Sequence, residues 1–215
     1  MKLKDKNILS VETYNNAAKN YQDKFMEMDL YNDTFNQFCD LIKADYSRIF
    51  EIACGPGNVT KYLKSINPTF QIKGIDLAPK MIELAKINNP DVNFEIMDCR
   101  KIDTINEIFD AIMCGFCLPY LSKEECSKLI KDSSNLLNRD GLLYLSTMEG
   151  DYDKSGFEKT SFSGENEVYI HYHQADFLKE QLKKFGFEII SLVRKDYPEP
   201  DGTFLTDMIF IARKK

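Results

Sequence analysis

No apolar run in the 215 residues approaches the ~18 needed to cross a bilayer, so a membrane-spanning helix is not expected. Glycine and proline are sparse, at 10 and 7 residues, which excludes a collagen-like or low-complexity chain. No internal repeat or long linker breaks the sequence. An apolar leader is also missing: Met1–Asn7 (MKLKDKN) is charged, and no hydrophobic stretch follows it. The 6 cysteines, at 39, 54, 99, 114, 117 and 126, are scattered, with none of the spacing of a disulfide framework. Reduced thiols and a cytoplasmic location are therefore expected. Positive charge is not in excess either. The 28 Lys and Arg against 34 Asp and Glu give a net charge of −6. That balance argues against a nucleic-acid or anionic-membrane surface, each of which wants a basic patch.

What is present is an ordinary globular composition, 43% hydrophobic and 29% charged, at a length suited to one domain over residues 1–215. Short apolar runs alternate with helical ones. Strands are predicted at Arg48–Ala53, Phe70–Asp76, Val92–Asp98, Phe109–Cys114 and Leu142–Thr147, the last set off by an Asn-Arg-Asp-Gly turn. Helices are predicted at Asn58–Ile66, Pro79–Ile87 and Lys123–Leu137. The last is opened by Ser122 with Glu125 as a capping box. This order implies an α/β fold, an open and mostly parallel sheet with helices on both faces. After the helix Asp176–Phe185, the strands Glu188–Lys195 and Phe204–Ala212 follow without a helix between them, which makes them antiparallel neighbours. Residues 1–47 read as helical, with Tyr14, Ala17, Ala18, Tyr21 and Phe25 at helical spacing. Residues 148–173 interrupt the alternation and carry Tyr152, Phe157, Phe162, Tyr169 and Tyr172.

The sharpest local signal is Glu51-Ile-Ala-Cys-Gly55-Pro-Gly57-Asn58, placed after a strand and at the start of a helix. Glycine lets a backbone approach a ligand, and a helix N-terminus offers free N–H groups. A tight strand-to-helix turn would look the same. Asp76, at the end of the second strand, is placed to accept the hydroxyls of an adenosine ribose, in a nicotinamide dinucleotide or in another adenosine ligand. Two residues separate those readings. A dinucleotide fingerprint wants Gly or Ala where this chain has Thr60, and the Glu51 carboxylate would repel a pyrophosphate. A ligand with an ammonium or sulfonium group meets no such repulsion. Asp98, at the end of the third strand, is placed for an adenine amino group. Three acids at three adjacent strand ends describe a site for adenosine with a cationic tail.

On these residues the chain resembles the class I S-adenosylmethionine-dependent methyltransferases. The family's glycine motif is matched by Glu51-Ile-Ala53-Cys-Gly55-Pro-Gly57, with Ala53 in place of the first glycine. The resemblance implies S-adenosyl-L-methionine as cofactor, with S-adenosyl-L-homocysteine as product. It implies cofactor contacts at Glu51, Ala53, Gly55, Gly57, Asp76, Leu77, Met81, Asp98, Cys99, Cys114 and Phe116. It also implies a seven-stranded sheet whose last strand is antiparallel, and an N-terminal helix that closes over the cofactor with Tyr14 and Tyr21. Relatives acting on adenine or glutamine carry an Asn/Asp-Pro-Pro-aromatic run where this chain has Cys117-Leu-Pro-Tyr120. Metal-dependent relatives carry an acid where it has Cys114, so no metal is expected.

Methyl transfer from a sulfonium needs alignment and exclusion of water more than it needs an acid. Candidates for a base are His171 and His173, which alternation places on one side of an extended segment, and Tyr120. Residues 1–47 and 148–173 are the expected lids, and their aromatics suit a small-molecule acceptor. An NAD(P)-binding oxidoreductase and a non-catalytic S-adenosylmethionine-binding subunit are the alternatives. Oligomeric state is not legible.

Overall fold

The structure is a computed structural model, and it describes residues 6–159, 162, 166–198 and 202–215. Three helices come first: α1 (Lys6–Asn16), α2 (Ala18–Phe25) and α3 (Asn32–Asp40). The alternating core follows as β1 (Arg48–Ile52), α4 (Asn58–Ile66), β2 (Gln71–Asp76), α5 (Pro79–Asn88), β3 (Asn93–Ile96), β4 (Phe109–Cys114), α6 (Lys123–Leu136) and β5 (Leu137–Met148). A hairpin of β6 (Gly156–Lys159) and β7 (Glu167–Ile170) precedes α7 (Ala175–Lys184), β8 (Phe187–Pro198) and β9 (Phe204–Lys214).

The main sheet has seven strands in the order β3-β2-β1-β4-β5-β9-β8. β1 pairs in parallel with both β2 and β4, and β9 runs antiparallel to both β5 and β8. The open α/β sheet, parallel apart from its last strand, is the architecture the alternation predicts. Its strand order reverses between β1 and β4. A crevice opens there at the carboxyl ends of the strands, which is where such sheets bind ligands.

Strand alternation sorts the side chains onto two faces. Phe50, Ile52, Ile112, Leu143 and Phe210 pack with α6 and α7. Ile49, Ala111, Met113, Tyr144, Ile209 and Ile211 pack on the other face with Phe35 and Phe38 of α3 and Leu63 of α4. The Ser122–Glu125 capping box at the start of α6 is formed as expected.

Several local expectations are corrected. The N-terminal helix breaks at Ala17 (φ −101, ψ 14), so Tyr14 and Tyr21 sit on successive helices. The Asn138–Gly141 turn lies inside β5 as an excursion. Leu137 pairs with Phe109 and Leu142 with Ala111, and Asp140 takes a left-handed φ of 65°. Asp98 lies beyond β3 and caps a short 3-10 turn, accepting from Arg100 N at 2.9 Å. The region 148–173 contains the β6–β7 hairpin, which the sequence pattern did not resolve. Thr13 Oγ1 donates to Glu167 O (2.9 Å) and Tyr169 N donates to Ser10 Oγ (3.2 Å), so α1 is strapped to that hairpin.

Candidate active site

The site begins with a consequence of pleating. With Phe50 and Ile52 committed to the α6–α7 face, Glu51 must point the other way, under the first turn of α4. There the Thr60 hydroxyl donates to the Glu51 carboxylate, which is 2% exposed. Burial, only partly offset by Thr60, pushes the Glu51 carboxyl up to about 8. The group is therefore protonated near neutral pH until a cation reaches it. Beyond Ile52 the chain doubles back through three left-handed residues: Ala53 (φ 56), Gly55 (φ 53) and Gly57 (φ 80). Holding the non-glycine Ala53 in that region costs about 1–2 kcal/mol, a strain placed where the chain leaves β1.

Asp76 pins this loop. Gly55 N donates to its Oδ2 and Ala78 N to its Oδ1, each at 2.9 Å. Burial raises the Asp76 carboxyl, and the N–H groups of Ala78, Gly55 and Leu77 restrain the rise. The carboxylate oxygens keep further lone pairs for a ligand's hydroxyls.

Two cavities meet above the strand ends, one of about 130 Å³ and one of about 370 Å³. Tyr14, Tyr21, Ala53, Gly55, Phe116 and Tyr120 line both and form the wall between them. Asp76, Leu77, Met81, Asp98 and Cys99 line the smaller, and Glu51 lines the larger. Arg100 grips Asp98 through Nε (3.0 Å) and Nη2 (2.7 Å). Burial alone would raise Asp98, but the guanidinium outweighs it and holds the carboxyl below its ordinary value.

Two expected contacts fall elsewhere. A Cβ on Gly57 would meet Asn89 Nδ2 at 2.4 Å, so this glycine serves the approach of α5 to the loop and does not face the ligand space. Cys114 is fully buried on the α6–α7 face, because alternation along β4 turns it away from the crevice. Its neighbour Gly115 takes the place, lining both cavities with no atom within 4 Å of where its Cβ would stand.

The roof is aromatic. Tyr14 and Tyr120 share a hydroxyl–hydroxyl hydrogen bond. The Tyr14 and Tyr21 rings lie 5.6 Å apart and both pack on Phe162, at 4.9 and 5.1 Å. Burial raises the hydroxyls of Tyr14, Tyr21 and Tyr120 above the ordinary phenol, so all three stay neutral. The floor of the larger cavity carries a pair that sequence reasoning missed. Tyr31 at the start of α3 donates its hydroxyl to Asp207 of β9 at 2.6 Å. The two residues are 176 positions apart, and neither belongs to a local motif.

Of the three candidates for a base, only Tyr120 lines the cavities. His171 and His173 stand behind the turn that presents Tyr120. His171 N donates to Pro119 O (2.7 Å), and His173 Nε2 donates to Leu118 O and Leu121 O (3.1 Å each). Burial lowers both imidazoles, His171 to about 4, so they are neutral supports of that turn. Alternation does put their rings on one side, at 25° to each other, but the His173 ring meets the carbonyls of Leu118 and Leu121 and the His171 ring packs on Tyr152 and Tyr169. Among the described residues no group of three or more His, Cys, Asp or Glu is arranged to hold a metal ion, and no helix is long and apolar enough to cross a membrane.

Comparison with known proteins agrees with this geometry. The family described as a methyltransferase domain matches residues 49–141. The chain is 24% identical over 170 residues to demethylmenaquinone methyltransferase of Thermotoga maritima, covering 69% of this chain and 73% of that protein. It is 29% identical over 147 residues to malonyl-[acyl-carrier protein] O-methyltransferase of Acetivibrio thermocellus, covering 66% and 50%. The chain spans 37% to 73% of the length of the first curated relatives it matches. In fold it superposes on magnesium protoporphyrin IX methyltransferase of Synechocystis PCC 6803, solved with S-adenosylmethionine, at a TM-score of 0.73 and 16% identity, covering 99% of this chain and 98% of that one. By its sheet order, its glycine loop and these matches, the chain is similar to the class I S-adenosylmethionine-dependent methyltransferases, whose fold it shares and whose methyltransferase domain it matches over residues 49–141.

Proposed function

We propose that the protein transfers a methyl group from S-adenosylmethionine to a small-molecule acceptor. The observation that carries this reading is the pair of cavities meeting at one wall above the strand ends. The smaller has the Asp76 carboxylate and the apolar Leu77 and Met81 side chains that an adenosine needs. The larger has room for an acceptor of modest size. Glu51 lines the larger cavity beside their shared wall, a buried carboxyl that an arriving ammonium would ionise and pair with. A pyrophosphate offers it no such partner, which favours the S-adenosylmethionine reading over the nicotinamide-dinucleotide alternative. The methyltransferase relatives support the reading, and an acceptor-sized cavity argues against a subunit that only binds the cofactor.

When bound, S-adenosylmethionine supplies an electrophilic methyl on a positively charged sulfur. The chain's own residues do the rest. Asp76 fixes the ribose hydroxyls, with its carboxylate held by Gly55 and Ala78. Glu51, ionised once a cation neighbours it, holds the ammonium of the amino-acid end. Gly115 leaves the junction open, and Tyr14, Tyr21 and Phe162 exclude water from above it. Tyr120, whose hydroxyl bonds that of Tyr14 in the shared wall, orients the acceptor there. α1 and the β6–β7 hairpin act as one lid, because the Ser10 and Thr13 hydrogen bonds join them. Incubating the protein with methyl-labelled S-adenosylmethionine and a metabolite extract, then finding the labelled product by mass spectrometry, tests the function. Label passing only to macromolecules would refute a small-molecule acceptor.

A further inference from the structure

Cys114 and Cys117 have the spacing of a redox pair, but the fold joins Cys117 to a different partner. Cys114 is fully buried in the α6–α7 core. Cys117 reaches the wall of the smaller cavity and meets Cys99 there. The two thiols share a sulfur–sulfur hydrogen bond at 3.5 Å, and both line that cavity. Cys99 follows Asp98 in the turn after β3, and Cys117 stands in the segment after β4, so the pair bridges two turns of the cavity wall. Of the 6 cysteines, Cys99 alone is not buried, so a solute that enters the smaller cavity meets its sulfur first. The hydrogen bond with Cys117 and then burial raise the Cys99 thiol, and contact with Cys114 and then burial raise that of Cys117. Both are therefore neutral and slow toward reagents that need a single thiolate. What distinguishes them is a second sulfur already in place.

We propose that Cys99 and Cys117 form a modification site: a low-molecular-weight disulfide entering the empty smaller cavity oxidises them to an internal disulfide, and a bound adenosine ligand prevents it. The ligand's part in this rests on the methyltransferase reading above. The Cys99 thiol gives its proton to water, and its sulfur attacks one sulfur of the reagent. That S–S bond breaks and the first thiolate leaves. The Cys117 thiol then gives up its proton, and its sulfur attacks the Cys99 sulfur of the mixed disulfide, expelling the second thiolate. Two cysteines are oxidised, one reagent disulfide is reduced, and the two protons end on the two released thiols. Because the second sulfur stands 3.5 Å away, this closure outruns a second collision with reagent. A disulfide bond is about 2.05 Å long, so the sulfurs must approach by about 1.5 Å. That movement draws the two turns together across a cavity of about 130 Å³ and takes space that an adenosine needs. Ligand and disulfide therefore oppose each other, and the opposition is reciprocal.

The test uses the full chain, reduced and then freed of reductant. It is incubated with excess 2-hydroxyethyl disulfide, with and without saturating S-adenosylhomocysteine. Alkylation of the remaining thiols, intact mass and peptide mapping read the product. The expected product is lighter by two hydrogens, with Cys99 joined to Cys117. The ligand is expected to slow its formation about tenfold or more, and the oxidised chain to bind S-adenosylhomocysteine about tenfold or more weakly in calorimetry, with recovery on reduction. Cys117→Ser is expected to stop at the mixed disulfide on Cys99. Should that variant fail to fold, Cys99→Ser is expected to leave no internal disulfide. No internal disulfide in the wild type, a link from Cys117 to Cys114, or oxidation that ignores the ligand and leaves its affinity unchanged would overturn the assignment. Failure of the reduced chain to bind S-adenosylhomocysteine would instead overturn the methyltransferase reading, while the mass still reads the Cys99–Cys117 link, which separates the two failures.

Discussion

Glu51 makes cofactor binding a proton-linked event. Its carboxyl is pushed up to about 8 because it is buried beneath α4 with one hydroxyl partner. In the empty site at pH 7 it is therefore about nine-tenths protonated. A ligand that brings a cation against it favours the carboxylate, so binding at pH 7 releases about 0.9 proton from this group. Affinity for S-adenosylhomocysteine should then weaken by up to about tenfold for each pH unit below 8, that is about 1.4 kcal/mol per unit, until the bound-state value is reached. Calorimetry in two buffers of different ionisation enthalpy reads the proton release directly. Glu51→Gln should lose both the proton release and the slope, and should bind most weakly relative to the wild type above pH 8. The empty protein obeys the same linkage. Its folded Glu51 holds a proton that the unfolded chain has lost above about 4.5, so its contribution to stability falls as pH rises from there to about 8. Affinity independent of pH between 6 and 8, or an equal slope in Glu51→Gln, would refute the reasoning.

Other outcomes follow from the same geometry. Asp76→Ala should weaken S-adenosylhomocysteine binding by about 1.5–3 kcal/mol in a titration, since charge-assisted bonds to the ribose are lost. Gly115→Val should abolish that binding with little change in melting temperature, because the added side chain enters open space at the cavity junction. Gly57→Val should do the reverse, lowering the melting temperature while any folded fraction still binds. Its side chain strikes Asn89 and its φ of +80° disfavours a β-branched residue. His171 is held neutral with its value lowered from 6.5 to about 4, so the unfolded chain takes up its proton first on acidification. The stability it contributes is lost as pH falls between those values, and His171→Phe should flatten the acid side of a melting-temperature profile.

Much of this site could be read from local patterns, since each feature depends on neighbours close in sequence. The strand–loop–helix from Arg48 to Ile66 carries its own signals in alternation, glycine and helix spacing, and Asp76 follows from the end of the next apolar run. Gly57 and Cys114 point away from where the motif implies, because a motif fixes the order of residues but not the side toward which each one points. Pleating along β4 turns Cys114 inward and Gly115 outward, and the packing of α5 claims Gly57. The histidines share one side, as alternation requires, but only tertiary contact decides that His173 meets the carbonyls of Leu118 and Leu121. The Tyr31–Asp207 pair was invisible for the same reason. It forms only when α3 and β9 come together across the sheet.

The crevice between β1 and β4 is expected to bind an adenosine ligand that carries an ammonium group, and not a dinucleotide. Parallel calorimetric titrations of the purified chain with S-adenosylhomocysteine and with NADH test it most directly. The expected result is saturable 1:1 binding of S-adenosylhomocysteine, weakened in Asp76→Ala and lost in Gly115→Val, with no heat from NADH. Saturable binding of NADH with none of S-adenosylhomocysteine would contradict it.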